Sequence, residues 1–218
     1  MPKKIAIKTL PSLKLKMRVM FIEAKSKEDI TNVVRKFKEK GKVGLVSSVQ
    51  YLNQLEKAQK LIPNSIIAGQ VLGCKAVNTI KIKKDVDMYL YIGSAYFHPI
   101  KIAIDTKKPV YIANPLTNEI SLLDKKDVED YERKIRGKQA KYLMSKNPAF
   151  IVSTKPGQNR LKIILNRKEK YPIFICNNLD FNEFENFREI DFWINTACNR
   201  IEGKNIINLE DLPKSNEK

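Results

Sequence analysis

Short apolar runs alternate with stretches of helical periodicity along most of this chain, and that alternation constrains the fold more than any other feature. Val43-Gly44-Leu45-Val46, Ser65-Ile66-Ile67-Ala68, Met88-Tyr89-Leu90-Tyr91-Ile92 and Val110-Tyr111-Ile112-Ala113 read as strands. Arg18-Val19-Met20-Phe21-Ile22-Glu23 reads as a further buried strand ahead of them. Between the strands, Ile30, Val33, Val34 and Phe37 fall on one helical face, as do Val49, Leu52, Leu55 and Ala58. Ser26 and Asp29 offer an S-x-x-D start for the first helix and Gly41 a stop, while Pro63 closes the second. A short helix from Pro99 to Asp105 fills a later gap. Strands separated by single helices pair in parallel through right-handed crossovers, so the expected fold class is α/β.

A second, smaller unit repeats the scheme. From Asp124 a charged helix runs to Asn147, interrupted by Gly137, and serves as a connector. Beyond it, Phe150-Ile151-Val152-Ser153, Ile173-Phe174-Ile175-Cys176 and Asp191-Phe192-Trp193-Ile194 read as strands, with Leu161, Ile164 and Leu165 marking a helix. The expected organisation is a basic arm (1–17), an α/β domain (18–123), a connecting helix (124–147), a smaller α/β domain (148–213) and a polar tail (214–218).

At 218 residues the chain can bury a sizeable core. No apolar run reaches the ~18 residues of a membrane span, and the N-terminus has no apolar signal core, so no membrane is expected and the compartment is read as cytoplasmic. Three cysteines are too few for a disulfide framework, and none forms a CxxC pair, so any shared metal site must be assembled from distant segments. The formal charge is +17, from 41 basic and 24 acidic residues. Such a field attracts polyanions, although many lysines stand beside Glu and Asp on helices, as in Lys36-Phe37-Lys38-Glu39-Lys40, where they also serve as solvated faces.

Ligands of α/β sheets bind beyond the carboxyl ends of the strands. The loops that qualify contain Ser47 to Gln50, Gly73-Cys74, Gly93 to Pro99, Ser153 to Gln158, and Thr196-Ala197-Cys198. Backbone-rich loops around a cysteine suit an iron–sulfur cluster, whose sulfurs accept N–H hydrogen bonds. Each cysteine read alone is more often an inert apolar side chain than a ligand, and Cys176, inside an apolar strand, stays in that class. His98 is the only histidine, which excludes any site needing two imidazoles; in a strand-end loop it is either a pocket contact or a structural hydrogen-bond partner. Thr154-Lys155-Pro156-Gly157-Gln158 opens a helix and offers N–H groups to an anion, though the P-loop spacing is absent.

Taken together and in order, several of these segments resemble a known family. They are Val43 to Gln50, Gly69-Gln70-Val71-Leu72-Gly73-Cys74, Tyr91-Ile92-Gly93 with Phe97-His98-Pro99, Lys108-Pro109-Val110-Tyr111, Ser153 to Gln158 and Asn195-Thr196-Ala197-Cys198. They are similar to the archaeal and eukaryotic diphthamide synthases, the 2-(3-amino-3-carboxypropyl)histidine synthases, over roughly Arg18 to Pro213. The resemblance implies two of three similar parallel-sheet βαβ domains, each of which gives one cysteine to a 4Fe-4S cluster. It implies that Cys74 and Cys198 are cluster ligands, and that S-adenosylmethionine binds the remaining iron. An electron from the cluster then releases an aminocarboxypropyl radical, which adds to a histidine of translation elongation factor 2. Gln50, His98, Ser153, Lys155, Gly157 and Gln158 are the expected cofactor- and substrate-binding residues.

The chain also departs from the family pattern. The first domain, with its cysteine, has no counterpart, and the usual Gly-Asp-Gly-Arg-Phe-His-Pro is here Gly93-Ser94-Ala95-Tyr96-Phe97-His98-Pro99. Asn199 stands where a proline is usual. The expected partners are therefore a separate chain supplying the first domain and third thiolate, in a homodimer or heterodimer, together with an electron donor and the elongation factor. A non-catalytic subunit that supports the cluster of such a complex is the second reading. A basic RNA- or ribosome-binding module is the third, disfavoured because aromatic residues are sparse among the basic ones.

Overall fold

The computed structural model describes Met20, residues 22–72 and residues 76–213. The basic arm, Cys74 and the tail after Pro213 lie outside these residues. Five strands form the first sheet: β1 (Val43–Ser47), β2 (Ser65–Gln70), β3 (Met88–Ile92), β4 (Val110–Asn114) and β5 (Glu119–Leu122), in the order β2-β1-β3-β4-β5. The first four are parallel, and β5 returns antiparallel at the edge. The second sheet contains β6 (Pro148–Ser153), β7 (Ile173–Cys176), β8 (Phe192–Asn195) and β9 (Ile206–Asn208), all parallel, in the order β7-β6-β8-β9. Each sheet begins in the middle and grows both ways, so each has a topological switch point, between β1 and β3 and between β6 and β8. The protein is α/β with two parallel-dominated sheets.

Both faces of the first sheet are covered, which is why β1 is buried at all five positions. On one face, α1 (Thr31–Arg35) and α2 (Leu55–Leu61), the latter preceded by a 3-10 turn at Val49–Gln54, pack Ile30, Val33, Val34, Tyr51, Leu55 and Ala58 onto Leu45, Leu90 and Ile92. On the other, α3 (Val77–Lys81), α4 (Phe97–Thr106) and the start of α5 (Lys125–Met144) cover Val46, Tyr89, Tyr91 and Ile112. The second sheet is likewise sandwiched. Tyr142 of α5 and Ile164 of α6 (Leu161–Leu165) lie over Phe150, Val152, Phe192 and Ile194, while Phe184 and Phe187 lie over Ile151 and Trp193.

Some local expectations fail for identifiable reasons. Ser26 and Asp29 do not cap a helix: Ser26 Oγ accepts from the Glu28 N–H, and Asp29 Oδ1 accepts from the N–H and hydroxyl of Thr31, so the residues form local turns and α1 begins only at Thr31. That helix ends at Arg35, well before Gly41. Of the strand expected at Arg18 to Glu23, Met20 and Ile22 are exposed and outside any strand, while Arg18, Val19 and Phe21 lie beyond the described residues. Gly137 does not interrupt α5: a Cβ there would meet nothing, and a solvent-facing glycine costs only about 1 kcal/mol of helix propensity. Asp124 caps this helix, its carboxylate accepting the Lys126 N–H. Among the described residues no helix is long and apolar enough to cross a membrane.

Candidate functional site

The carboxyl ends of the two sheets meet a common cleft of about 580 Å³, within the ~300–1,000 Å³ usual for small-molecule sites. Leu72, Phe97 and Lys101 come from the side of the β1–β5 sheet, Tyr131 from α5, and Gly157, Arg160, Cys198 and Arg200, among others, from the side of the β6–β9 sheet. The α5 helix fixes the arrangement, for it packs on α4 and on β9, and its Gln139 and Lys141 donate to the carbonyls of Asp211 and Lys204.

Cys198 is a free, half-buried thiol on this wall. It opens a turn closed by the Ile201 N–H on its carbonyl at 3.0 Å. The turn is anchored through Asn195, whose Nδ2 donates to the Cys198 carbonyl at 2.8 Å and whose Oδ1 accepts the Ala197 N–H at 2.9 Å. Thr196 ties the same strand end down, its N–H and hydroxyl both donating to the Ile151 carbonyl. Leu72, two residues short of Cys74, lines the same cleft and is 58% exposed. No group of three or more acidic, imidazole or thiol side chains suited to a metal ion forms among the described residues.

His98 lies one layer behind the cleft, buried against Phe97 at 3.9 Å between ring centroids and hydrogen-bonded through Nδ1 to the Tyr91 hydroxyl at 3.1 Å. Burial, with the Arg200 charge adding to it, lowers its pKa to about 4, so the imidazole is neutral. Burial likewise pushes Tyr91 up to about 12. Gly93 makes room for this pair: a Cβ there would lie 2.6 Å from the Tyr91 hydroxyl.

The other expected residues divide between the cleft and elsewhere. Gly157 and Gln158 line it, in a turn closed by the Gln158 N–H on the Lys155 carbonyl, with Gly157 at φ +77°. Ser153 is buried and its hydroxyl accepts the Lys155 N–H, while Lys155 itself is exposed and does not line the cleft. The loop does not open a helix directly, for α6 starts only at Leu161 and has five residues. Gln50 is exposed in the 3-10 turn, where its carbonyl accepts the Ser26 N–H. Cys176 sits at the end of β7, its thiol pushed up by burial against a smaller opposing pull from Lys155.

Several wall residues went unnoticed in the sequence. Arg200 lies over the Phe97 ring, Arg160 pairs with Glu210, and Asp211 accepts from Asn208 at 3.0 Å while burial raises its pKa. Tyr131 is pushed up to about 12 by burial and by the nearby Asp211, Glu202 and Asp105 carboxylates. They come from separate segments with no motif among them. The one available signal is that Arg200 follows the Asn195-Thr196-Ala197-Cys198 segment by two residues.

Comparison with known proteins adds to this picture. The model of the diphthamide synthesis protein family matches residues 5–209. The chain is 28% identical over 204 residues to the 2-(3-amino-3-carboxypropyl)histidine synthase of Pyrococcus horikoshii, across 84% of this chain and 56% of that protein. It is 28% identical over 189 residues to the synthase of the same name from Methanocaldococcus jannaschii, across 82% and 51%. The chain thus spans about half the length of these curated relatives. Two crystal structures of Dph2 from Pyrococcus horikoshii share the fold: one with a 4Fe-4S cluster, with a TM-score of 0.72 at 24% identity over 86% of this chain and 62% of that one, and a second with a TM-score of 0.70 at 23%.

Proposed function

This chain belongs to the diphthamide synthesis protein family, and from that premise we propose that it is the two-domain part of a split 2-(3-amino-3-carboxypropyl)histidine synthase. In this reading it helps transfer the aminocarboxypropyl group of S-adenosylmethionine to a histidine of elongation factor 2. A separate chain supplies the first domain and a third thiolate, and an electron donor completes the system. The supporting observation is that Cys198, a free thiol, and Leu72, two residues from Cys74, face one cleft. The donor chemistry fits an iron–sulfur cluster: Cys198 offers soft sulfur from a turn rich in backbone groups.

Cys74 and Cys198 would hold the cluster. When bound and reduced, it supplies the electron that splits S-adenosylmethionine at the bond to its aminocarboxypropyl chain. The remaining wall residues bind and orient. Arg200 offers guanidinium donors to a carboxylate, and Lys101, which also pairs with Asp105 at 2.9 Å, an ammonium. Tyr131, with its pKa near 12, stays a protonated phenol and donates a hydrogen bond. Leu72 and Phe97 make that side of the cleft apolar and exclude water from a reactive carbon centre.

A second reading, that the chain supports the cluster of a catalytic partner, draws on the Ser94-Ala95-Tyr96 departure, which replaces the Asp and Gly of the family pattern and leaves Tyr96 half exposed in place of its Arg. One experiment separates the two. The chain is reconstituted anaerobically with iron, sulfide and the candidate first-domain chain, then reduced with dithionite in the presence of S-adenosylmethionine and the elongation factor. Methylthioadenosine release that is lost when Cys74 or Cys198 is replaced in this chain supports the proposal. Release that persists in both variants overturns it in favour of the supporting role.

A further inference from the structure

Two buried asparagines stand side by side where the second sheet ends. Asn195 and Asn208 are paired in register at the last positions of β8 and β9, 0% and 6% exposed. Their side chains form one continuous network. Asn195 Nδ2 donates to the Cys198 carbonyl and to Asn208 Oδ1, both at 2.8 Å. Asn208 Nδ2 donates onward to the Asn199 carbonyl at 3.2 Å and to Asp211 Oδ2 at 3.0 Å. All four amide protons are therefore committed, and two of them hold the consecutive carbonyls of the turn that carries the thiol.

Resting on the reading of Cys198 as a ligand, we propose that Asn195 and Asn208 are positioning residues for Cys198, fixing the turn from which its thiol enters the cleft. A trans peptide sets its C=O and N–H on opposite edges. With the Cys198 and Asn199 carbonyls drawn to the amides, the N–H groups of Asn199 and Arg200 point away from the asparagine pair. Neither has a backbone acceptor among the described residues. Main-chain donors beside a thiolate are the kind that bond cluster sulfurs and tune their potential. A buried, fully satisfied amide pair also resists alternative conformations, because losing one partner strands another.

The test uses the isolated chain and needs no cluster, so a failed reconstitution leaves it valid. Cysteines of the native chain are alkylated with iodoacetamide under anaerobic conditions, and the rates at Cys198 and Cys176 are read by peptide mass spectrometry. Asn195→Leu, which keeps the branched shape, and the milder Asn208→Ser are compared with Thr196→Val, which removes one hydroxyl bond to Ile151 but keeps the Thr196 N–H bond to the same carbonyl and every amide bond to the turn. Loss of positioning accelerates Cys198 several-fold relative to Cys176 in the asparagine variants, while Thr196→Val leaves the ratio unchanged; general loosening would accelerate both thiols. Should Asn195→Leu lose its thermal transition, Asn208→Ser decides alone. A wild-type ratio in the folded asparagine variants, or an equal change in Thr196→Val, overturns the proposal.

Discussion

The Arg200 guanidinium lies over the ring of Phe97, 4.6 Å from its centroid, and so joins the Cys198 turn after β8 to the start of α4. The contact closes one wall of the cleft and brings a positive charge toward His98. Replacing Arg200 with Ala should cost about 0.5–2 kcal/mol of stability, the range for a cation over an aromatic face. It should also raise the His98 pKa above about 4, although burial, the larger cause, remains. The chain has one histidine, so a single imidazole resonance followed by NMR through a pH titration reads this directly.

His98 makes the protein acid-sensitive in a defined window. Its folded pKa, near 4, is depressed below the ordinary 6.5, so the unfolded chain binds the proton first. The stability it contributes is complete above pH 6.5 and is lost progressively as pH falls toward 4, by up to about 3 kcal/mol at 1.36 kcal/mol per pH unit. Urea unfolding of wild type and His98→Gln across pH 4–7 checks this: the variant lacks the decline attributable to the imidazole, and carboxylate effects cancel in the difference.

Gly93 should tolerate no side chain. The Cβ of Gly93→Ala would sit 2.6 Å from the Tyr91 hydroxyl, which is held by its bond to His98. Relief requires moving a buried phenol, so the substitution should destabilise by roughly 1–3 kcal/mol, as overpacking does. Thermal unfolding gives the loss, and a shift of the imidazole resonance shows that the Tyr91–His98 bond has broken.

The parts legible in the sequence are those that depend on local periodicity. Ile30, Val33, Val34 and Phe37 are all buried, although only Val33 and Val34 lie within α1, and Val43 to Val46 form an inner strand because nothing polar interrupts them. Edge elements were less visible. Glu119–Leu122 is a short, mostly exposed strand whose pairing is antiparallel, and Ile206–Asn208 has only three residues, so neither carries a periodic signal. The helix start failed because Ser26 and Asp29 satisfy nearer N–H groups instead. Gly157, Gln158 and Cys198 were picked out from loops beyond strand ends and do line the cleft, whereas Lys155 lies on the same loop but faces solvent. Phe97, Tyr131, Arg200 and Asp211 meet only through the packing of α5 between the sheets, which no spacing along the chain encodes.

Cys176 supplies the internal control for the ligand assignment. It ends β7 beside Lys155 and Thr154 and lies outside the cleft that holds Cys198. Replacing it with Ala removes a partly buried thiol at a small stability cost, about 1 kcal/mol or less, and should leave cluster loading intact. Iron and sulfide assays on the reconstituted variant check this.

Whether the thiols of Cys74 and Cys198 serve one cluster is read from iron and acid-labile sulfide per complex after anaerobic reconstitution with the first-domain chain. The complex is prepared with wild type, Cys74→Ala, Cys198→Ala and Cys176→Ala. One 4Fe-4S cluster per complex is expected in wild type and Cys176→Ala, and its loss in each of the other two. Full, stable loading with either Cys74 or Cys198 replaced would contradict that assignment.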